Sequence, residues 1–291
     1  MFRGTFTALV TPFRNGEIDF DALAGLVEHQ VKAGVSGIVA IGTTGESPTL
    51  SHDERLSVIC KCVETASGRC TVLAGTGSYS TRDTIEATKQ AESLGVNGAL
   101  VVAPYYNKPS QEGLYQHFKT IADATSLPIM LYNIPGRCGV DIVASTVERL
   151  ASCRNIVSIK EAGGAVDRVS QLRGQLPDSF TILSGDDSLT LPFMSVGAAG
   201  VVSVASNLLP AEVVALVNAC TNGDAGLAEK LHRRMFPLFR DLFIEPNPVP
   251  VKTALSWKGL SSPEVRLPLC PMGQANQERL RKTLEAFESG K

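Results

Sequence analysis

The chain has 291 residues, 44% hydrophobic and 19% charged, with 27 basic against 29 acidic side chains and a formal charge of −2. That balance, with no basic run or stripe, argues against a nucleic-acid partner. No apolar stretch reaches the roughly 18–20 residues that a bilayer-spanning helix needs.

The opening residues, Met1-Phe2-Arg3-Gly4-Thr5, lead directly into a β-branched run at 5–10. They lack the charged leader, apolar core and small-residue cleavage site of a signal peptide. Seven cysteines are scattered along the chain; only Cys60 and Cys62 are close, with no second pair at zinc-ligand spacing. They read as reduced thiols, so a cytoplasmic location is expected. The first run ends in Thr11-Pro12-Phe13-Arg14, which is not the Gly-x-Gly-x-x-Gly loop of a dinucleotide-binding open sheet. A helical period follows at Phe20–Ala33, with Leu23, Leu26, Val27 and Val31 on one face and Gly34 as the stop.

The second run, 37–41, leads into Gly42-Thr43-Thr44-Gly45-Glu46-Ser47. Two hydroxyls and two glycines suit a turn that presents N–H groups and hydroxyls to a small anion. A glycine turn without a ligand explains the same composition. No Gly-Lys-Ser/Thr follows, which excludes a nucleotide P-loop. Helical periods at 53–66 and 81–94 bracket the third run, 71–74.

The fourth run, 98–102, ends in Ala103-Pro104-Tyr105-Tyr106-Asn107. The helix expected at 111–125 is closed by Leu127-Pro128. The fifth run, 128–132, ends in Tyr132-Asn133-Ile134-Pro135-Gly136-Arg137. Three of the five tyrosines fall at these two ends. A buried phenol needs a hydrogen-bond partner, so each has a structural reading; a phenol whose pKa a neighbour shifts is also a proton relay.

The sixth run, Ile156-Val157-Ser158-Ile159-Lys160-Glu161-Ala162, carries a lysine at its end. Period-two alternation puts Lys160 on one face with Ser158 and Ile156. An ammonium in such a place snorkels to the rim or pairs with an acid. Otherwise desolvation lowers its pKa, and the neutral amine can attack a ketone. Helices are expected on either side, at 144–151 and 167–175. The seventh run, 181–183, ends in Ser184-Gly185-Asp186-Asp187. Adjacent carboxylates on a strand point to opposite sides and make a poor metal clamp, so Gly185 and Asp186 are expected to shape a turn over the site. A helix at 188–196, the eighth run at 200–204 and a helix at 210–222 follow. His29, His52, His117 and His232 lie on helices or their approaches, and no His-Glu-x-x-His or Gly-x-Ser-x-Gly is present. No metal is expected.

Eight apolar runs alternating with helices predict a closed (β/α)₈ TIM barrel over residues 1–223. From 224 to 291 the pattern is helical, at 225–242, 248–258 and 274–288, with no strands between. This all-helical C-terminal extension has no low-complexity linker and is expected to pack on the barrel. In this fold the working residues gather at the C-terminal ends of strands.

The ordered set of motifs resembles the dihydrodipicolinate synthase family. Gly42-Thr43-Thr44-Gly45-Glu46-Ser47, Tyr105-Tyr106-Asn107-Lys108-Pro109, Tyr132-Asn133-Ile134-Pro135-Gly136-Arg137 and Ile159-Lys160-Glu161-Ala162 carry the resemblance, with Asn247-Pro248-Val249-Pro250-Val251-Lys252 in the extension. It covers essentially the whole chain. The resemblance implies a lyase that condenses pyruvate, held as an imine on Lys160, with L-aspartate 4-semialdehyde on the diaminopimelate route to lysine, with no cofactor. By match, Tyr132 moves protons beside Lys160, and Thr44 and Tyr106 complete the relay, Tyr106 arriving from a neighbouring subunit of a homotetramer. Thr43 and Thr44 would hold the pyruvyl carboxylate, Arg137 would bind the semialdehyde carboxylate, and Gly185 and Val202 would line the substrate site. Relatives such as N-acetylneuraminate lyase and 2-keto-3-deoxy sugar acid aldolases share the lysine and tyrosine. They do not usually carry Pro-Gly-Arg at residues 135–137. A non-catalytic sensor on a barrel scaffold is the more distant alternative. Ser47, His52, Tyr79, Asp83 and Tyr105 fall where some members bind lysine as an inhibitor. Pro48, Arg55, Tyr79 and Asp83 depart from the lysine-sensitive pattern, so weak or absent feedback is expected.

Overall fold

Eight parallel strands close on themselves in the computed structural model, which describes residues 2–290. They are Gly4–Ala8, Gly37–Ala40, Thr71–Gly75, Gly98–Val102, Ile129–Asn133, Ile156–Glu161, Thr181–Ser184 and Gly200–Ser203, and each pairs with its neighbours in chain order. The first strand pairs with both the second and the eighth, which closes the barrel. That closure depends on Gly200: a Cβ there would lie 2.0 Å from the Gly4 carbonyl oxygen, at a φ of +149°.

The inward side chains form their own apolar cluster. It contains Phe6, Val39, Leu73, Leu100, Met130, Tyr132, Leu183 and Val202. The outward faces join the helices in a second, larger core. Both faces of each strand are therefore buried, as the uninterrupted apolar runs predicted.

Local chemistry sets the helices. In Phe20–Ala33, Asp19 accepts from the Ala22 N–H at 3.0 Å and Gly34 ends the helix in the left-handed region, with Leu23, Leu26 and Val27 buried. Ser51 and Glu54 form a reciprocal capping box on His52–Ala66.

Three features depart from expectation. Phe13–Arg14 and Glu17–Ile18 form a small antiparallel hairpin after the first strand. The expected helix at 188–196 is split into a 3₁₀ turn, Asp187–Leu189, and a short helix, Thr190–Ser195. The split follows from Asp187, which turns inward to accept from Ser203 Oγ and the N–H groups of Val204 and Ala205. Arg137 lies on a one-turn helix, Pro135–Cys138, where no element was expected.

The extension, with helices Ala225–Asp241, Val249–Trp257 and Gln274–Glu288, packs on the barrel. Met235, Leu238, Val251, Leu255, Leu280 and Leu284 share the core of the barrel helices. No helix among the described residues is long and apolar enough to cross a membrane.

Candidate active site

Strand register brings the first pair together. Tyr132 is the direct neighbour of Lys160 on the adjoining strand, and Lys160 that of Leu183 on the next. Both are 5% exposed, and Lys160 Nζ lies 4.3 Å from the centre of the Tyr132 ring. No carboxylate pairs with Lys160 among the described residues; the fully buried lysine that has such a partner is Lys252. Burial pulls the Lys160 ammonium down to about 8, against the opposing pull of Asp186 and Asp187, and Arg137 lowers it further. About a tenth of the amine is therefore neutral at pH 7.

Burial also raises the Tyr132 phenol above its ordinary value. Arg137 and the Thr43 hydroxyl pull it back, and Asp186 adds to the rise. The phenol stays protonated and is a donor until a base takes its proton. The two strand ends are locked behind this pair. Asn133 and Glu161, each 0% exposed, stand opposite each other, and Asn133 Nδ2 donates to Glu161 Oε1 at 3.0 Å and to Asp141 at 2.7 Å. Glu161 also takes the Gly163 N–H at 2.7 Å and pairs with Arg168 at 3.3 Å. This network holds the backbone that carries Lys160 and uses up the Glu161 carboxylate, while Asp186 and Asp187 act on the ammonium only through space.

The turn after the second strand is strained. Ile41 has a φ of +48° and Glu46 one of +54°, and a β-branched side chain in the left-handed region is costly. The turn is tied by Gly45 and Glu46 N–H groups donating to Gly42 and Thr43 carbonyls at 3.1 Å each. The Thr43 and Thr44 N–H groups find no backbone acceptor among the described residues. Two such successive N–H groups are donors of the kind that suits a carboxylate.

A cavity of about 210 Å³ opens here, with Thr43, Tyr132, Arg137 and Tyr105 on its wall beside Ser47 and Cys138. Lys160 is not on that wall; it lies against the Tyr132 ring. Gly185 borders it, since a Cβ there would sit 3.1 Å from Lys160 Cε and 2.6 Å from Ala162 Cβ. Val202 is wholly buried in the inner cluster with Tyr132 and Leu183. Thr44 is 3% exposed, and its Oγ accepts from Asn247 Nδ2 at 3.0 Å. Tyr106 does not join the others: it is 91% exposed, at a φ of +73°, and off the cavity wall in the single chain.

A neighbouring cavity of about 330 Å³ is lined by Ser47, His52, Tyr79, Asp83 and Tyr105, together with Pro48 and Arg55. It shares Ser47, Pro48 and Tyr105 with the first. Asp186 faces Lys160 electrostatically while Asp187 bonds to Ser203, Val204 and Ala205. The divergence does not come from strand alternation, because both residues lie beyond the strand Thr181–Ser184 and Asp187 opens the 3₁₀ turn.

Residues not singled out from the sequence complete the site. Lys252 Nζ reaches Glu46 Oε1 at 2.6 Å and the Thr11 carbonyl at 2.9 Å, and the Arg266 N–H donates to Glu46 Oε2 at 3.0 Å. The extension therefore grips the Thr43–Thr44 turn from outside the barrel. The only sequence signal was the motif at residues 247–252, whose spacing says nothing about its target.

Residues 1–287 match the dihydrodipicolinate synthetase family. The 4-hydroxy-tetrahydrodipicolinate synthase of Endomicrobium trichonymphae is 51% identical over 288 residues, 99% of both chains. The solved synthase from Methylacidiphilum fumariolicum SolV superposes with a TM-score of 0.98 at 57% identity, covering 99% of this chain and 97% of that one. Dihydrodipicolinate synthase from Aquifex aeolicus follows at a TM-score of 0.97 and 48% identity, covering 99% and 98%.

Proposed function

The chain belongs to the dihydrodipicolinate synthetase family, and we propose that Lys160 carries the family's chemistry in it. The reaction is that of a 4-hydroxy-tetrahydrodipicolinate synthase, a lyase of the diaminopimelate route to lysine. Pyruvate condenses with L-aspartate 4-semialdehyde, and water is released.

The observation that carries the assignment to Lys160 is its burial without a carboxylate partner beside Tyr132. The neutral amine adds to the pyruvyl ketone. The resulting hydroxyl leaves as water, with Tyr132 supplying the proton, and an imine forms. The imine draws electrons from the methyl group, which loses a proton and becomes an enamine carbon nucleophile. That carbon attacks the semialdehyde aldehyde, forming the new C–C bond. The semialdehyde amine then adds at the imine carbon and displaces Lys160, closing the ring and regenerating the free amine. Thr43 and Thr44 N–H groups suit the pyruvyl carboxylate, and Arg137 at the cavity mouth suits the second carboxylate in a bidentate fork. Gly185 and Val202 shape the space around the imine.

Tyr106 completes the relay by crossing from a neighbouring subunit, which its exposure and distance from the cavity in the single chain support. A homotetramer, a dimer of dimers, provides that neighbour. The seven free cysteines fit the reducing cytoplasm. The second cavity is lined by both Arg55, a fixed positive charge, and the short, exposed Asp83, which already pairs with Arg82 at 3.2 Å. That balance disfavours a cationic amino acid, so lysine is a weak inhibitor or none.

Borohydride reduction in the presence of pyruvate, followed by peptide mass spectrometry, tests the reading. The expected adduct is on the peptide containing Lys160. An adduct on another lysine, or none, removes the mechanism. Competition between aspartate semialdehyde and sugar acids then distinguishes the synthase from a sugar-acid lyase.

A further inference from the structure

We propose that Asn247, on the C-terminal extension, is a positioning residue for the reaction: it sets the direction of the Thr44 hydroxyl proton. The inference rests on Thr44 serving as a relay. Asn247 Nδ2 donates to Thr44 Oγ at 3.0 Å, and both side chains are buried, at 7% and 3% exposure. A threonine hydroxyl has one proton and two lone pairs. Accepting from Asn247 occupies a lone pair on that side and turns the O–H bond elsewhere. Within the described residues Thr44 Oγ donates to nothing, so its proton is left for the relay.

Asn247 Oδ1 is a second, independent observation. It is buried and has no hydrogen-bond partner among the described residues. A buried amide with an orphaned carbonyl is costly to keep, and an apolar side chain of the same size would fill the position more stably. The amide therefore serves something other than folding, and its one polar contact among the described residues is Thr44. The seat is rigid because the helix Val249–Trp257, which begins two residues later, is pinned by Lys252 to Glu46 and to the Thr11 carbonyl. The amide and the turn it addresses are thus fixed to each other from two directions.

The test is a cycle of N247L, T44V and the double variant in the full-length enzyme, with N247D as a fourth. N247L removes the donor at constant size, so we expect kcat to fall about ten- to a hundredfold, the lower range for a misdirected proton-transfer group. KM for pyruvate should stay within about threefold, because the turn's N–H groups are untouched. The double variant should be no slower than T44V alone, since Asn247 acts through Thr44. In N247D the ionised carboxylate draws the hydroxyl proton to itself, whereas the protonated form can donate again. The ratio of N247D to N247L kcat should therefore rise as pH falls, which a packing defect would not produce. Normal kcat in N247L beside an impaired T44V overturns the inference and leaves the relay standing, as does multiplication of the two single effects. Full activity in T44V removes the relay itself, and the inference with it.

Discussion

Lys160 and Lys252 are both buried, at 5% and 0% exposure, and burial lowers the pKa of each. Their surroundings differ in one respect. Lys252 has a carboxylate at 2.6 Å, a carbonyl at 2.9 Å and the Phe13 ring at 4.2 Å, so its charge is kept and its position fixed. Lys160 has no ion pair among the described residues: it lies 4.3 Å from the centre of the Tyr132 ring, Glu161 is consumed by Asn133, Gly163 and Arg168, and Asp186 and Asp187 attract it without contact. The same side chain is thus a clamp at one end of the site and an ammonium left without an ion pair at the other. What decides is whether a carboxylate is within reach.

Removing each lysine separates the two roles most sharply. K160M should abolish turnover, by about 10³-fold or more, because no imine can form; thermal unfolding should show the variant at least as stable as the parent near pH 7. Residual pyruvate-dependent turnover above a tenth of the parent's would break the contrast. K252M should behave in the opposite way. It leaves the buried Glu46 carboxylate without its cation and with only the Arg266 N–H, at about 3–5 kcal/mol of stability by denaturant titration, and K252M/E46M should recover much of that loss.

The pH dependence carries a definite sign. Lys160 is held at about 8 in the folded chain against 10.5 ordinarily, so the penalty of burying its charge is fully present below about pH 8. Between those values the folded state loses its proton first, and stability rises with pH. The advantage of K160M over the parent should shrink by about 2 kcal/mol between about pH 7 and 9.5. In the parent enzyme, kcat/KM for pyruvate should fall roughly tenfold per unit below about pH 8 and flatten above it. A flat profile across that range removes the claim that Lys160 lacks a charge partner.

The smallest effect is steric. G185A places a methyl group 3.1 Å from Lys160 Cε and 2.6 Å from Ala162 Cβ. Borohydride trapping should slow by about tenfold, with a stability loss of about 1–3 kcal/mol. Unchanged trapping would mean that Lys160 has more freedom than its packing implies.

Much of this was legible in the chain itself. Short apolar runs separated by helical periods are what doubly buried parallel strands require, so the barrel followed from hydrophobic pattern and local capping. Lys160, Tyr132, the Gly-Thr-Thr turn and Arg137 stood at strand ends, where a barrel exposes its interior to substrate. Local pattern also misled where tertiary bonds outweighed propensity, as when Asp187 turned inward to the Val204 and Ala205 N–H groups and broke the expected helix.

The pairings, however, belong to the tertiary structure. Thr44 meets Asn247 across 203 residues and Glu46 meets Lys252 across 206, separations at which periodicity and spacing carry no information. Both lysines follow apolar residues in the sequence, and nothing local says which will find a carboxylate. Sequence set the strands, the helices and the chemical types available at the barrel mouth, because those depend on neighbours a few residues away. Folding alone decided which charges were neutralised, and so which lysine was left without an ion pair.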